Sequence, residues 1–372
     1  MHFDFTDDQR EIKRTARELL AARSSLERVR AIAEGDGAYD AALWEELVGL
    51  GWTGIALPEE HGGVGLGVLE LAIVLEELGY AATPSRFLSN ALAAQLIVGA
   101  GSDEQCARLL HGIAAGAQTG TVAFARDGVA ELVPDADSAR WIVLVEGGGA
   151  GPAARLYDAA TGELRIDPRE TIDPTRRYAR VTVADAAAGE PLEGDVAGGL
   201  DRAEVVLAAE LTGLAQRALE LTVAYVKERR QFGTPIGAFQ AVSHRAAQML
   251  LETEGARSAV WFAAWAADAE PVSLSRAASI AKAAAADAGR HVTAAAIQLH
   301  GGIGFTWEAD VHWLYKRAQL DAALLAPAAW HRRRIARLAA AGVSGGEHPA
   351  APAGGAAPAR ASEPPATPAG AG

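Results

Sequence analysis

Arg229-Arg230-Gln231-Phe232-Gly233-Thr234-Pro235-Ile236-Gly237-Ala238-Phe239-Gln240 closes a long helical pattern with a sharp turn. Upstream, Leu207, Leu211, Leu214, Ala218, Thr222 and Tyr225 recur at helical spacing and form one apolar stripe. Gly233 and Pro235 forbid its continuation. A fixed guanidinium and a carboxamide on either side of such a turn suit a bound diphosphate and a nucleotide base. The same residues also describe an ordinary helix end, with a solvated Arg pair and a packed Phe.

Working outward, the chain returns to helix on both sides. C-terminal to the turn, helices are expected over Phe239–Asp268, Ser273–Leu299, Glu308–Leu325 and, after Pro327, Ala328–Ala341. N-terminally, Thr6-Asp7-Asp8-Gln9 is a capping-box pattern opening a helix through Leu20. Further helices are expected around Trp44–Leu47, over Val68–Gly79 and over Ser85–Val98. Between these blocks lie short β-like runs, Thr121–Phe124, Trp141–Val145, Arg155–Tyr157, Glu163–Ile166 and Arg180–Val183, separated by Gly, Pro and Asp. They predict a small antiparallel β-domain with a hairpin tip at Gly147–Gly151. The expected organisation is mainly α with a small middle β-domain: residues 1–118 helical, 119–196 β, 197–342 a helical bundle, and 343–372 a disordered Ala/Pro/Gly-rich tail.

Composition limits the function classes. Half of the 372 residues are apolar, and aromatic residues are only 6 %, so the core is expected to be packed helix. A net charge of −13 argues against a nucleic-acid partner, which needs clustered Lys and Arg. The single cysteine, Cys106, excludes an intrachain disulfide and a cysteine-cluster metal site and fits a reducing compartment. No signal-peptide pattern and no apolar run long enough for a membrane span is visible, so a cytoplasmic protein with no membrane partner is expected. No pair among the nine histidines has metal-ligand spacing, and no metal is expected. His331, beside Arg332-Arg333-Arg334, reads as part of a solvated helix face.

Two glycine-rich segments need weighing. His300-Gly301-Gly302-Ile303-Gly304-Phe305-Thr306, preceded by Gln298, offers backbone N–H groups that approach a phosphate or a flavin edge closely. It also describes a helix C-cap followed by a turn. Gly63-Val64-Gly65-Leu66-Gly67 has G-x-G-x-G spacing but no surrounding βαβ unit, so it reads as a loop rather than a dinucleotide site. Trp261, Phe262 and Trp265 form an aromatic helix face that suits either core or a bulky-substrate pocket.

Four segments, in order and in register up to about residue 325, together resemble the acyl-CoA dehydrogenase family. They are Leu50-Gly51-Trp52 with Leu57-Pro58-Glu59-Glu60-His61-Gly62-Gly63-Val64-Gly65-Leu66-Gly67; Gly213-Leu214-Ala215-Gln216-Arg217-Ala218; Tyr225 through His244, containing the opening motif; and Gln298 through Glu308. The resemblance implies an N-terminal helical domain, a middle β-domain and a C-terminal four-helix bundle. It also implies FAD, an acyl-CoA substrate and an electron-transfer flavoprotein or similar acceptor. In such enzymes a Glu takes the α-proton while the β-hydrogen leaves as hydride. By the same resemblance Arg229, Phe232, Gln240, Gln298, Gly301 and Gly302 match positions that hold the FAD diphosphate and adenosine of a neighbouring subunit. Helix geometry adds an argument for that neighbour. Glu204 and Arg229 on one straight helix would lie about 38 Å apart, too far for one flavin to serve both ends, so a homo- or hetero-oligomer is expected.

The chain departs from the family pattern in two places. Thr121-Val122-Ala123-Phe124-Ala125-Arg126-Asp127-Gly128 stands where the family's Thr-Glu-Pro and Gly-Ser-Asp segment is expected. The family's two locations for the catalytic Glu fall on Ala326 and Ala203. Glu204, one residue further on, is the remaining candidate base; its commoner role would be a solvated carboxylate in a helix's first turn. With these departures the chain resembles the reduced partner subunits of heteromeric acyl-CoA dehydrogenases of steroid side-chain breakdown. Three functions are open: a subunit that clamps FAD for a catalytic partner, a self-sufficient dehydrogenase using Glu204, and a non-catalytic binding protein on the same fold.

Overall fold

The computed structural model describes residues 4–35, 39–148, 151–185 and 188–345. Six helices come first: α1 (Asp7–Arg23), α2 (Leu26–Ala33), α3 (Ala41–Gly49), α4 (Val68–Tyr80), α5 (Phe87–Ala100) and α6 (Asp103–Ala114). The expected capping box is present, with Thr6 Oγ1 accepting from Gln9 N and Gln9 Oε1 accepting from Thr6 N. The sequence reading omitted α2 and α6, although Ser25 caps the first and a Ser102/Gln105 capping box opens the second. The segment Leu57–Gly67 is a loop that folds back on itself, as expected: Val64, Gly65 and Leu66 donate to Gly54, Leu57 and Ile55 carbonyls.

Seven strands follow: β1 (Gly120–Phe124), β2 (Val129–Pro134), β3 (Trp141–Gly148), β4 (Gly151–Asp158), β5 (Leu164–Arg169), β6 (Tyr178–Val183) and β7 (Glu190–Leu192). They form a four-stranded sheet ordered β1-β3-β4-β7 and a three-stranded sheet ordered β2-β6-β5. The expectation of a wholly antiparallel domain is corrected at one pair. β1 and β3 run parallel, Gly120 opposite Trp141, because the chain crosses to the second sheet as β2 before returning. β3 and β4 close to a Gly148–Gly151 pair, and the remainder of the expected tip, 149–150, lies outside the described residues. The unbroken apolar run of β3 has a physical cause. Val143 and Val145 join the main helical core, while Ile142 and Leu144 face the second core between the sheets.

The C-terminal part comprises α7 (Val196–Glu228), a two-residue ribbon of β8 (Arg230–Gln231) and β9 (Thr234–Pro235), then α8 (Gln240–Ala269), α9 (Pro271–His300), α10 (Val311–Ala323) and α11 (Ala328–Gly345). The helix expected from Glu308 begins three residues later, after a short 3-10 stretch over Gly301–Phe305. The expected tail falls on 346–372, outside the described residues; 343–345 extend α11.

α7 is the axis of the molecule, packing on α4, α5, α8 and α9. Its contact with α4 is backbone to backbone. A Cβ at Gly79 would meet the Glu210 carbonyl, and one at Gly213 the Glu76 carbonyl. Buried ions then tie the parts together. Arg176, in the segment before β6, binds Glu210 of α7 at 2.7 Å and Asp321 of α10 at 2.6 Å. Arg317 donates to the Thr83 carbonyl at 2.8 Å and the Thr175 carbonyl at 2.9 Å. Glu76 of α4 receives Lys13 of α1 and Arg257 of α8. Trp261 donates its indole N–H to the same carboxylate at 3.3 Å. Trp261 and Trp265 pack on the main core, and Phe262 is partly exposed, so this aromatic face does not line the cavity described below.

Candidate active site and cofactor clamp

The residues singled out in the sequence fall at two sites on the bundle. At one end α7 stops at Arg229, the chain turns through left-handed Phe232 (φ 53°) and Gly233 (φ 79°), and Ile236 N donates to Arg229 O at 2.8 Å. α9 ends alongside, its His300 ring stacked on Tyr225 of α7 with centroids 4.4 Å apart. That stack brings the arginine and glycine motifs together. Arg229, Gln240, Gln298, Gly301 and Gly302 are all exposed. Phe232 is 94 % exposed, its ring set edge-on to Phe239 with centroids 6.3 Å apart. Among the described residues no side-chain partner holds the Arg229 guanidinium.

Gly301 has φ 65°, which favours glycine on backbone grounds alone. Gly302 has ordinary φ, and a Cβ there would meet open space, so nothing within this chain demands glycine at that position. Phe305 and Trp307, 79 % and 62 % exposed, extend the uncovered apolar surface just beyond it. A free guanidinium, two exposed carboxamides, a glycine pair open on one side and exposed aromatic rings suit a diphosphate and an adenine held against another subunit.

The second site is a cavity of about 1260 Å³ between β1, β2, the N-terminal part of α7, the end of α10 and one face of α11. Val122, Phe124 and Arg126 form its sheet side. Leu324–Pro327 and Trp330, Arg334 and Leu338 of α11 form the opposite side. Glu204 lines it from α7. The expectation of a solvated first-turn carboxylate is corrected here. α7 begins at Val196, which puts Glu204 in its third turn, 1 % exposed. Ala203 and Ala326, the two positions matched to the family's base, are also buried, and Ala326 lines the same cavity.

Glu204 is set in charge. His331 Nε2 lies 3.6 Å from one carboxyl oxygen and Arg334 Nη1 3.7 Å from the other, both too long for hydrogen bonds. Among the described residues Glu204 Oε2 and both ring nitrogens of His331 have no hydrogen-bond partner. Burial, followed by the nearby charge of Asp201, pushes the Glu204 carboxyl well above the usual carboxylate range; Arg334 and Lys282 oppose this. Burial also pushes His331 down to about 3, so its imidazole is neutral at physiological pH. The expected solvated face is therefore corrected at His331, which is fully buried, and at Arg334, which turns inward to Asp201, while Arg332 and Arg333 are exposed as expected, Arg332 pairing with Asp287. Three consecutive arginines suggested solvent, but Trp330, His331 and Arg334 lie on the inner face of α11.

Sequence reasoning missed Lys282, fully buried on α9 with Ala281 and Ala283 on either side. Its signal was position: a lysine on the same apolar face as Leu274, Ala278 and Ala285 has no path to water. Burial pushes its ammonium below the usual lysine range. No group of three or more His, Cys, Asp or Glu among the described residues is placed to hold a metal.

The acyl-CoA dehydrogenase N-terminal domain family matches residues 6–117, and the acyl-CoA dehydrogenase C-terminal domain family matches residues 195–340. The chain is 37 % identical over 330 residues to acyl-CoA dehydrogenase IpdE2 of Mycolicibacterium smegmatis, covering 88 % of this chain and 98 % of that one. This chain belongs to the acyl-CoA dehydrogenase family. Two solved structures extend the likeness. One is a variant of the Tcur3481–Tcur3483 steroid acyl-CoA dehydrogenase, with TM-score 0.83 and 31 % identity over 91 % of this chain and 99 % of that one. The other is the ChsE4–ChsE5 complex of Mycobacterium tuberculosis, with TM-score 0.82 and 26 % identity over 94 % and 100 %. The family's members are FAD flavoproteins, and the end of α7 and α9 presents an exposed guanidinium, exposed carboxamides and glycines open to solvent. No helix among the described residues is long and apolar enough to cross a membrane.

Proposed function

We propose that this chain is a subunit of a hetero-oligomeric acyl-CoA dehydrogenase that oxidises an acyl-CoA thioester to the 2,3-enoyl-CoA. In that assembly Arg229, Phe232, Gln240, Gln298, Gly301 and Gly302 clamp the diphosphate and adenosine of an FAD whose ring serves a partner subunit. The observation that carries this is the separation of the two sites. The free guanidinium and open glycine pair sit at the far end of α7 from the cavity and are uncovered in the single chain. One helix of 33 residues spans that interval. The likeness to heteromeric dehydrogenase structures supports the same arrangement.

Bound FAD supplies the hydride acceptor. This chain's part is to neutralise the diphosphate with Arg229, to let the cofactor approach the backbone closely at Gly301 and Gly302, where a Cβ would stand in open space, and to offer an aromatic surface at Phe232. Arg229→Ala in the assembled complex is expected to reduce FAD retention at least tenfold while leaving subunit assembly intact, as read by gel filtration with flavin absorbance. Unchanged flavin retention would contradict the clamp and favour a scaffold role.

One observation favours a second function, a dehydrogenase that completes its own site. Glu204 presents an unpartnered carboxyl oxygen at the wall of this chain's own cavity. There it would take the α-proton of a bound thioester, with electron-transfer flavoprotein or a similar acceptor reoxidising the cofactor. Turnover of the lone chain that disappears in Glu204→Gln identifies this case.

A further inference from the structure

His331 is a buried histidine whose hydrogen-bonding capacity goes unused. It lies on the inner face of α11 with no exposed surface, and neither ring nitrogen has a partner among the described residues. Its backbone is fixed in the first turn of α11, where His331 N donates to the Pro327 carbonyl at 3.4 Å. Trp330 stands edge-on to its ring, centroids 4.9 Å apart. An unpaired buried polar group costs stability, so packing alone would favour an apolar side chain of similar size here. The carboxyl it faces is Glu204, with Nε2 3.6 Å from Oε1. Glu204 is itself 1 % exposed. Two buried groups of complementary capacity thus meet just beyond hydrogen-bond range.

We propose that His331 is a positioning residue for Glu204: a neutral imidazole that donates its Nε2–H to Oε1 of the ionised carboxyl and so holds the carboxylate towards the cavity it lines. This rests on the second function above, in which Glu204 is the base. A neutral imidazole carries one hydrogen and can place it on Nε2, and burial keeps this ring neutral. The charged groups acting on Glu204 are Asp201 of its own helix, Arg334 of α11 and Lys282 of α9. All three are engaged elsewhere. The Arg334 Nη groups reach both carboxyl oxygens of Asp201, and Nη1 also reaches Ser279 Oγ at 3.2 Å. Ser275 of α9 donates to Asp201 at 2.6 Å. Lys282 is turned to the carbonyls of Asp321, Ala322 and Ala326, and the Asp321 carboxyl of α10 is bound by Arg176. That leaves the His331 ring as the unused donor beside Oε1. In turnover the α-C–H bond breaks, its electron pair stays on the substrate as the β-hydrogen leaves as hydride to the bound FAD, and the proton passes to the Glu204 carboxylate. Glu204 then releases it to solvent before the next cycle.

The test uses the chain with whatever partner it assembles with, and two readouts. pH-difference infrared spectroscopy, without ligand, follows the protonated-carboxyl band that Glu204→Gln removes. Turnover of octanoyl-CoA against pH follows the same ionisation through activity. His331→Leu keeps the bulk and removes both nitrogens, so the ionised carboxyl loses its donor and the band midpoint should rise by about one pH unit or more. Below the midpoint that is roughly a tenfold loss of kcat, with KM unchanged. His331→Gln, which keeps an N–H donor, should bring the midpoint back towards that of the native chain. If His331→Leu does not fold, His331→Ala is read in the same way. A histidine that only fills space would leave the midpoint unmoved in every variant, which overturns the proposal. The two readings fail separately: Glu204→Gln with intact turnover shows that Glu204 is not the base, whereas an unmoved midpoint sinks the role of His331 whichever way turnover goes.

Discussion

Glu204 shows what a carboxyl becomes when a helix carries it out of water and beside other buried charges. Its charged form is opposed by burial and by Asp201, so the folded chain keeps a proton there that the unfolded chain releases near the ordinary carboxylate value. The folded protein binds the extra proton between those two values, so stability falls as pH rises through that window. Glu204→Gln has no such proton. Its melting temperature is expected to exceed that of the native chain more at pH 9 than at pH 5, which differential scanning calorimetry at the two pH values measures. Equal differences at both would mean that Glu204 ionises normally. The sequence marked Glu204 but not its setting, because a residue two turns into a helix reads as solvated unless the strands opposite and α11 are placed. His331 was misjudged for the same reason: local charge pointed outward and tertiary packing pointed it inward. The turn after Arg229 and the glycine end of α9 were legible because each is written in consecutive residues.

Elements, by contrast, were largely legible from apolar period and caps. α1, α4, α7, α8 and α9 lie where the periodicity put them, since long helices repeat the same pattern many times. β2 and β7 were missed because each mixes charged and apolar residues without a strict alternation, and pairing with a neighbour decides them. The parallel β1–β3 pair was beyond local reasoning, since direction depends on a crossover to the other sheet. What joins the elements is the buried ion set around Arg176 and Arg317, which ties the sheet domain to α7 and α10. Removing one partner leaves buried charge uncompensated. Arg176→Met, which strands Glu210 and Asp321, is expected to destabilise the chain by roughly 3–5 kcal/mol in urea unfolding. A change under about 1 kcal/mol, the scale of an exposed pair, would show that these ions do not lock the domains.

At the scale of the molecule, α7 sets a distance. It holds a cavity with a buried carboxyl near one end and, at the other, the exposed arginine and glycine surface that we propose as a nucleotide clamp, too far apart for a single flavin to serve both. The chain therefore makes sense as part of an assembly in which cofactors cross subunit boundaries. Composition and motif order were enough to read the family, and α7 was legible as one long helix. Whether this chain's own cavity works depends on Glu204 and its setting against α11, which come together only in three dimensions. The most direct test is the flavin-to-protein ratio of the chain purified alone and co-purified with a related acyl-CoA dehydrogenase chain. The clamp account predicts little flavin on the lone chain and a yellow complex carrying FAD in stoichiometric amount. Stoichiometric FAD on the chain by itself would contradict it.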